Sequence, residues 1–220
     1  MMRNILLIGG SSGIGLAAKN LLESQGNKVI ATSRSTFEAT NPQATLSIPE
    51  SLDGLVYCPG TINLKPFHRL TDQEFLTDWE VNFLGATRAL RLALPSLKKA
   101  PSASVVLFST VAVKCGMPMH ASIASAKGAV EGLTRSLAAE WAPKIRVNAI
   151  APSLTETPLA AGILADDKRR EAAAERHPLK MIGQAEHSAE LVSYLLSDAS
   201  RFTTGQILRP DGGLSSLRLF

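Results

Sequence analysis

The run Ile5-Leu6-Leu7-Ile8-Gly9-Gly10-Ser11-Ser12-Gly13-Ile14-Gly15 constrains the fold of this chain more than any other stretch. Four consecutive apolar residues read as a strand buried on both faces, as in a parallel sheet. A glycine-rich turn follows, and then Ile14, Leu16, Ala17, Leu21 and Leu22 recur at helical spacing. Glycine lets a backbone turn sharply and approach a ligand with no Cβ in the way. The start of the helix offers unpaired N–H groups and the positive end of its dipole to a phosphate. The spacing is Gly9-x-x-x-Gly13-x-Gly15, not the commoner G-x-G-x-x-G, so the strand–turn–helix context carries the reading. It implies a nucleotide site built from Gly9, Ser11, Ser12, Gly13, Ile14 and Gly15.

The next strand, Lys28 to Ser33, ends where such folds choose between two dinucleotides. A carboxylate there accepts hydrogen bonds from the adenosine ribose of NAD. Here Ser33 stands in that place and Arg34 follows, with a planar fork suited to a 2′-phosphate. The local chemistry therefore favours NADP, with NAD as the alternative. Between Phe37 and Glu50 the chain is short for a full helix and strand. Ala44-Thr45-Leu46-Ser47-Ile48 alternates as a short edge strand before Pro49.

Further strands are expected at 52–58, 104–109, 145–150 and 205–209, with helices at 71–94, 121–141 and 188–196 between them. Thr71-x-x-Glu74 is a capping-box pattern that opens the first of these helices. The alternation predicts one α/β domain over 1–220: a doubly wound, Rossmann-like parallel sheet with helices on both faces. The polar, alanine-rich segment 153–183 reads as a mobile flap over the site.

Composition narrows the function classes. Lys and Arg give a net charge of +4 but are scattered, and aromatic residues are only 5%, too few for base-stacking platforms, so no nucleic-acid partner is expected. No apolar run is long enough to cross a bilayer, and the first strand leaves no room for a signal peptide. Cys58 and Cys115 lack metal or redox spacing. A cytoplasmic protein with no membrane partner and no metal is expected.

Beside the glycine turn, four further segments resemble the short-chain dehydrogenase/reductase family in the right order. They are Val81-Asn82-Phe83-Leu84-Gly85, Lys127-Gly128-Ala129-Val130, Arg146-Val147-Asn148-Ala149-Ile150-Ala151-Pro152 and Asp211-Gly212-Gly213. The resemblance implies a nicotinamide-dependent oxidoreductase, active as a homodimer or homotetramer on a small molecule: a carbonyl, alcohol, imine or enone. It makes Asn82 an active-site residue and gives Lys127 the nicotinamide ribose. It places Gly60, Pro152 and Thr157 at the cofactor.

The family's catalytic tyrosine is missing. Four residues before Lys127 stands Ile123, and thirteen before that stands Thr110 in place of the family's serine. Threonine keeps the hydroxyl, but isoleucine has no proton to give. Neither Tyr57 nor Tyr194, a core residue by its pattern, is an evident substitute. The remaining proton sources are water, the substrate, or His120, whose imidazole precedes the helix. His177, in the flap, is a possible substrate contact. Asn82, Thr110, Lys127 and His120 are thus the candidate catalytic set. The alternative is a non-catalytic NADP(H)-binding sensor or oligomer partner.

Overall fold

The computed structural model describes residues 2–219. Its centre is a six-stranded, all-parallel sheet in the order β2-β1-β3-β4-β5-β8. The strands are β1 (Asn4–Ile8), β2 (Lys28–Thr32), β3 (Gly54–Tyr57), β4 (Ala103–Phe108), β5 (Ile145–Ile150) and β8 (Ile207–Leu208). Because side chains alternate along a strand, Ile5 and Leu7 enter one core while Leu6 and Ile8 enter the other. The first layer is formed by helices α1 (Gly13–Ser24) and α7 (Ala185–Leu196), which pack on Ile5, Leu7, Val56 and Val106. The second is formed by α3 (Gly85–Lys99) and α5 (Ala121–Trp141) over Leu6, Leu55, Val105 and Val147. Strand order reverses between β1 and β3, so a crevice opens beyond their carboxyl ends, where open α/β sheets bind ligands.

Several boundaries depart from the sequence reading. The predicted strand at 44–48 does not form. Ala44, Leu46 and Ile48 still turn toward the second-layer core while Thr45 and Ser47 face water, but they pair with no strand. A parallel neighbour for β2 needs a crossover of a dozen or more residues, usually a helix. The chain spends residues 33–43 on turns that bury Phe37 and Ala39 instead, and β2 becomes the sheet edge.

The helix predicted over 71–94 is three pieces. Helix α2 (Asp72–Trp79) starts at the capping box, with Glu74 N donating to Thr71 Oγ1 and Thr71 N to the Glu74 carboxylate. A π-turn (Glu80–Leu84) follows, and α3 then runs through Pro95 to Lys99. Tyr194, read as core, is more than a third exposed, because it lies on the face of α7 turned away from the sheet.

Segment 153–183 holds β6 (Thr155–Glu156), α6 (Asp167–Glu175) and β7 (Gly183–Gln184). β6 and β7 pair, and Ala160, Leu164 and Ala173 form a small core of their own against Leu154 and Ile182. The remaining short helix, α4 (Ala112–Cys115), caps the loop after β4.

Candidate active site

The glycine turn is a backbone device. Gly9 (φ +82°) and Gly13 (φ +51°) occupy the left-handed region, and Gly9 N and Gly10 N both donate to Thr32 O. A Cβ on Gly15 would lie 2.1 Å from Gly9 O, so no side chain fits there. Ser12 precedes α1 in extended conformation without capping it, and Ser11 and Ser12 are exposed. No acidic residue occupies the first turn of α1, which leaves its N–H groups open to an anion. Two distant loops meet this turn. Cβ positions on Gly9 and Gly13 would fall 3.1 Å from Pro59 and 3.3 Å from Thr157. Thr157, half-buried, lies beyond Pro152, whose carbonyl accepts from Val111 N.

Ser33 and Arg34 lie at the exposed end of β2. The Arg34 side chain is 86% exposed, and its Nε is 4.0 Å from Glu38 Oε2. Sequence reasoning overlooked Glu38. Hydrogen bonds from the Thr40 backbone and hydroxyl, with Arg34 adding to them, hold its carboxyl below the usual range.

At the other end, Gly60, Asn82 and Lys127 come together. A Cβ on Gly60 would be 3.3 Å from Asn82 Oδ1 and 3.7 Å from Lys127 Nζ. The π-turn positions Asn82: π-bulges inside helices recur at functional sites, and this one displaces the ladder at residue 82. Tyr57 stabilises it, its hydroxyl donating to Val81 O at 2.6 Å, and burial pushes that phenol's pKa far up. Tyr57 is therefore a structural group.

Asn82 Nδ2 donates to Thr61 Oγ1 (2.8 Å) and to Asp78 O (2.7 Å), and the Thr61 hydroxyl donates to Asp78 Oδ1. Asp78, one turn before Asn82 on the same helical face, was missed; that i, i+4 spacing was the available signal.

Lys127 Nζ donates to Phe108 O at 2.8 Å. Burial lowers its pKa to about 8, while Cys58 and Asp78 act in the opposite sense. Burial also pushes the Cys58 thiol up to about 12.

Thr110 is half-buried and its Oγ1 accepts from Ala112 N, which leaves its proton free to donate. The neighbouring Ser109 is buried, its hydroxyl bound to Glu131 Oε1 (3.0 Å), so Thr110 rather than Ser109 offers the free hydroxyl. Ile123 is buried. His120 directly precedes α5. Its Nδ1 lies 2.8 Å from Pro118 O, and the residue faces a surface depression with Phe67, Val113, Met117 and Ala124. His177 is buried in segment 153–183, with Nε2 2.8 Å from Ser153 Oγ.

Sheet, glycine turn and the Asn82–Lys127 pair together define a dinucleotide-binding α/β protein. A family model described as enoyl-(acyl carrier protein) reductase matches residues 38–215. A tropinone reductase homolog of Arabidopsis thaliana is 32% identical, the match covering 96% of this chain and 92% of that protein. It runs over 242 aligned residues, more than the 220 of this chain, so the relative carries internal segments that this chain lacks. L-xylulose reductase of Bos taurus is 29% identical over 96% of both chains. Among solved structures, ligand-free aldohexose dehydrogenase of Thermoplasma acidophilum superposes with a TM-score of 0.90 at 27% identity, covering 100% of this chain and 96% of that one. This chain belongs to the short-chain dehydrogenase/reductase family of oxidoreductases.

Proposed function

We propose that the protein is an NADP(H)-dependent oxidoreductase acting on a small carbonyl, imine or enone through a site depleted of its usual acid. The observation that carries this reading is the continuity of the cleft. Its glycine turn meets Thr157 at one point and Pro59-Gly60 at another, and Gly60 in turn abuts Asn82 Oδ1 and Lys127 Nζ. Those residues fit an extended dinucleotide. Open N–H groups suit a pyrophosphate, Arg34 a 2′-phosphate, and the Lys127 ammonium a ribose diol. ElxO, a protein 25% identical with a TM-score of 0.88 over 99% of this chain and 100% of that one, was solved with NADP bound. A variant of ElxO with one tyrosine changed to phenylalanine was solved with NADPH bound.

A bound nicotinamide supplies the hydride; the side chains must supply orientation and the proton. Thr110 donates a hydrogen bond to the substrate oxygen. Lys127, at about 8, carries a transferable proton at neutral pH and passes it through water. His120 faces its own depression and serves at most through water. An imine or activated C=C asks less of the acid than a ketone does. Segment 153–183, built on a small core of its own, is assigned as the cover over the substrate. We further assign a homodimer or homotetramer and a cytoplasmic setting, the latter suited to two thiol cysteines. Among the described residues, no helix is long and apolar enough to cross a membrane.

Titration of the purified protein with NADPH and NADH, followed by calorimetry, tests the reading. NADPH binding about 3–10-fold tighter than NADH is expected from one exposed charge-assisted contact; no binding of either refutes it. A second reading, a nucleotide-binding protein without turnover, is favoured by Ile123 alone. It predicts the same binding with no nicotinamide oxidation across carbonyl, imine and enone panels.

A further inference from the structure

Two oxygens of α2 and the π-turn after it have no hydrogen-bond partner among the described residues: Asn82 Oδ1 and Asp78 Oδ2. Both residues are 1% exposed. Buried acceptors left unpaired each cost about 1–3 kcal/mol, and such cases in native folds mark a use.

The hydrogen bonds around them have a fixed direction. A carboxylate only accepts, so the Thr61 proton goes to Asp78 Oδ1. Thr61 Oγ1 is then the acceptor for Asn82 Nδ2. The second partner of Nδ2 is the Asp78 carbonyl, so a flipped amide would set oxygen against oxygen twice. Asn82 Oδ1 must therefore point the other way, to Gly60, where a Cβ would lie 3.3 Å from it and 3.7 Å from Lys127 Nζ.

We propose that Asp78, acting through Thr61, is a positioning residue of this site. It turns the Asn82 amide oxygen to Gly60, beside Lys127 Nζ, and is the counter-charge that keeps Lys127 an ammonium. The proposal rests on the reading of Lys127 as a ligand-binding group. Charged and titratable groups near Lys127 are few. Burial lowers its pKa to about 8, against which Cys58 and then Asp78 pull it up. The Cys58 thiol stays neutral up to about 12, so it carries no charge where Lys127 titrates. Glu131, one turn along α5, is engaged by Ser109, Arg135 and Arg209. That leaves Asp78 as the uncommitted anion.

The test is the pH titration of the Lys127 Nζ resonance in the full-length, ligand-free protein labelled with ¹⁵N-lysine. Asp78→Asn is expected to lower the midpoint by roughly one unit, as loss of a close opposite charge does. Thr61→Val, which keeps the charge, should leave the midpoint in place but free the Asn82 side-chain amide to exchange. If Asp78→Asn does not fold, Asp78→Ser offers Thr61 an uncharged acceptor and gives the same reading. NADPH affinity supplies the second readout. The ratio between variant and wild type should be near one at pH 6 and about fivefold at pH 8, where a one-unit lower midpoint depletes the ammonium about that much. A purely structural Asp78 would weaken binding equally at both. An unmoved Lys127 midpoint in the uncharged variants overturns the proposal. Absence of NADPH binding at any pH overturns instead the role given to Lys127, and the ligand-free titration still judges Asp78.

Discussion

At the glycine turn the backbone has almost no freedom to change: Gly9 and Gly13 are left-handed, and Gly15 admits no Cβ. At the other end Gly60, Asn82 and Lys127 come together, with a buried Ile123 one turn before Lys127 on α5. The contrast separates two requirements that one fold normally meets together. Holding a dinucleotide depends on backbone shape at many positions, each with little room for change. Delivering a proton depends on one side chain, which a single substitution removes without disturbing the sheet.

The sharpest way to break the contrast is Ile123→Tyr. If only the acid is missing, this change should raise NADPH-dependent carbonyl reduction by roughly 10²–10⁴-fold, the usual worth of a placed general acid. It would be followed as loss of reduced-nicotinamide absorbance. No gain across a carbonyl panel would mean that Thr110 and Lys127 no longer frame a substrate. The reverse manipulation attacks the strict end. Gly15→Ala pushes a methyl into Gly9 O, so NADPH affinity should fall by about 100-fold or more, the scale of an active strain of a few kcal/mol. Near-normal binding by calorimetry would show that the turn is not the phosphate site.

Lys127 connects the two ends and has an opposite effect on stability. Its pKa in the fold, about 8, is below the unfolded 10.5, so the folded state loses this proton first. Between those values the unfolded chain binds more protons, and stability rises with pH. Below about 8 the buried ammonium carries its full penalty, on the order of 3 kcal/mol. Lys127→Met should thus stabilise the ligand-free protein at pH 7 by up to about that amount and flatten the rise from 8 to 10.5, while weakening NADPH binding. Urea melts across pH would show it, and a destabilised Met variant would contradict the burial argument.

The sheet was legible because its strands are apolar runs with buried alternation on both faces, and the glycine turn because its context is local. Asn82 and Lys127 were legible through motifs, yet the partners that orient them were not. Thr61 and Asp78 are polar residues on a loop and a helix, and they matter only because a π-turn bends Asn82 back onto them. Segment 44–48 shows the converse failure. Its alternation is real and its inward residues are covered, but pairing needed a crossover that the chain is too short to make. For His120, three residues of sequence separation from Ile123 gave no hint that its ring lies against Pro118 O and lines a surface depression.

The smallest expected effect concerns Arg34, at the rim of the strict end. It is 86% exposed and partly answered by Glu38, so its contact with a 2′-phosphate is screened by water and salt. Arg34→Ala should weaken NADPH by about 3–10-fold and leave NADH within about twofold, as expected for one exposed charge-assisted contact. Glu38→Gln should act oppositely, tightening NADPH slightly by releasing the guanidinium. Both effects should fade in high salt. Equal losses for the two nucleotides in Arg34→Ala would mean that Arg34 shapes the loop after β2 rather than reading the phosphate, and selectivity would then have to come from Ser33 and the turns at residues 35–41.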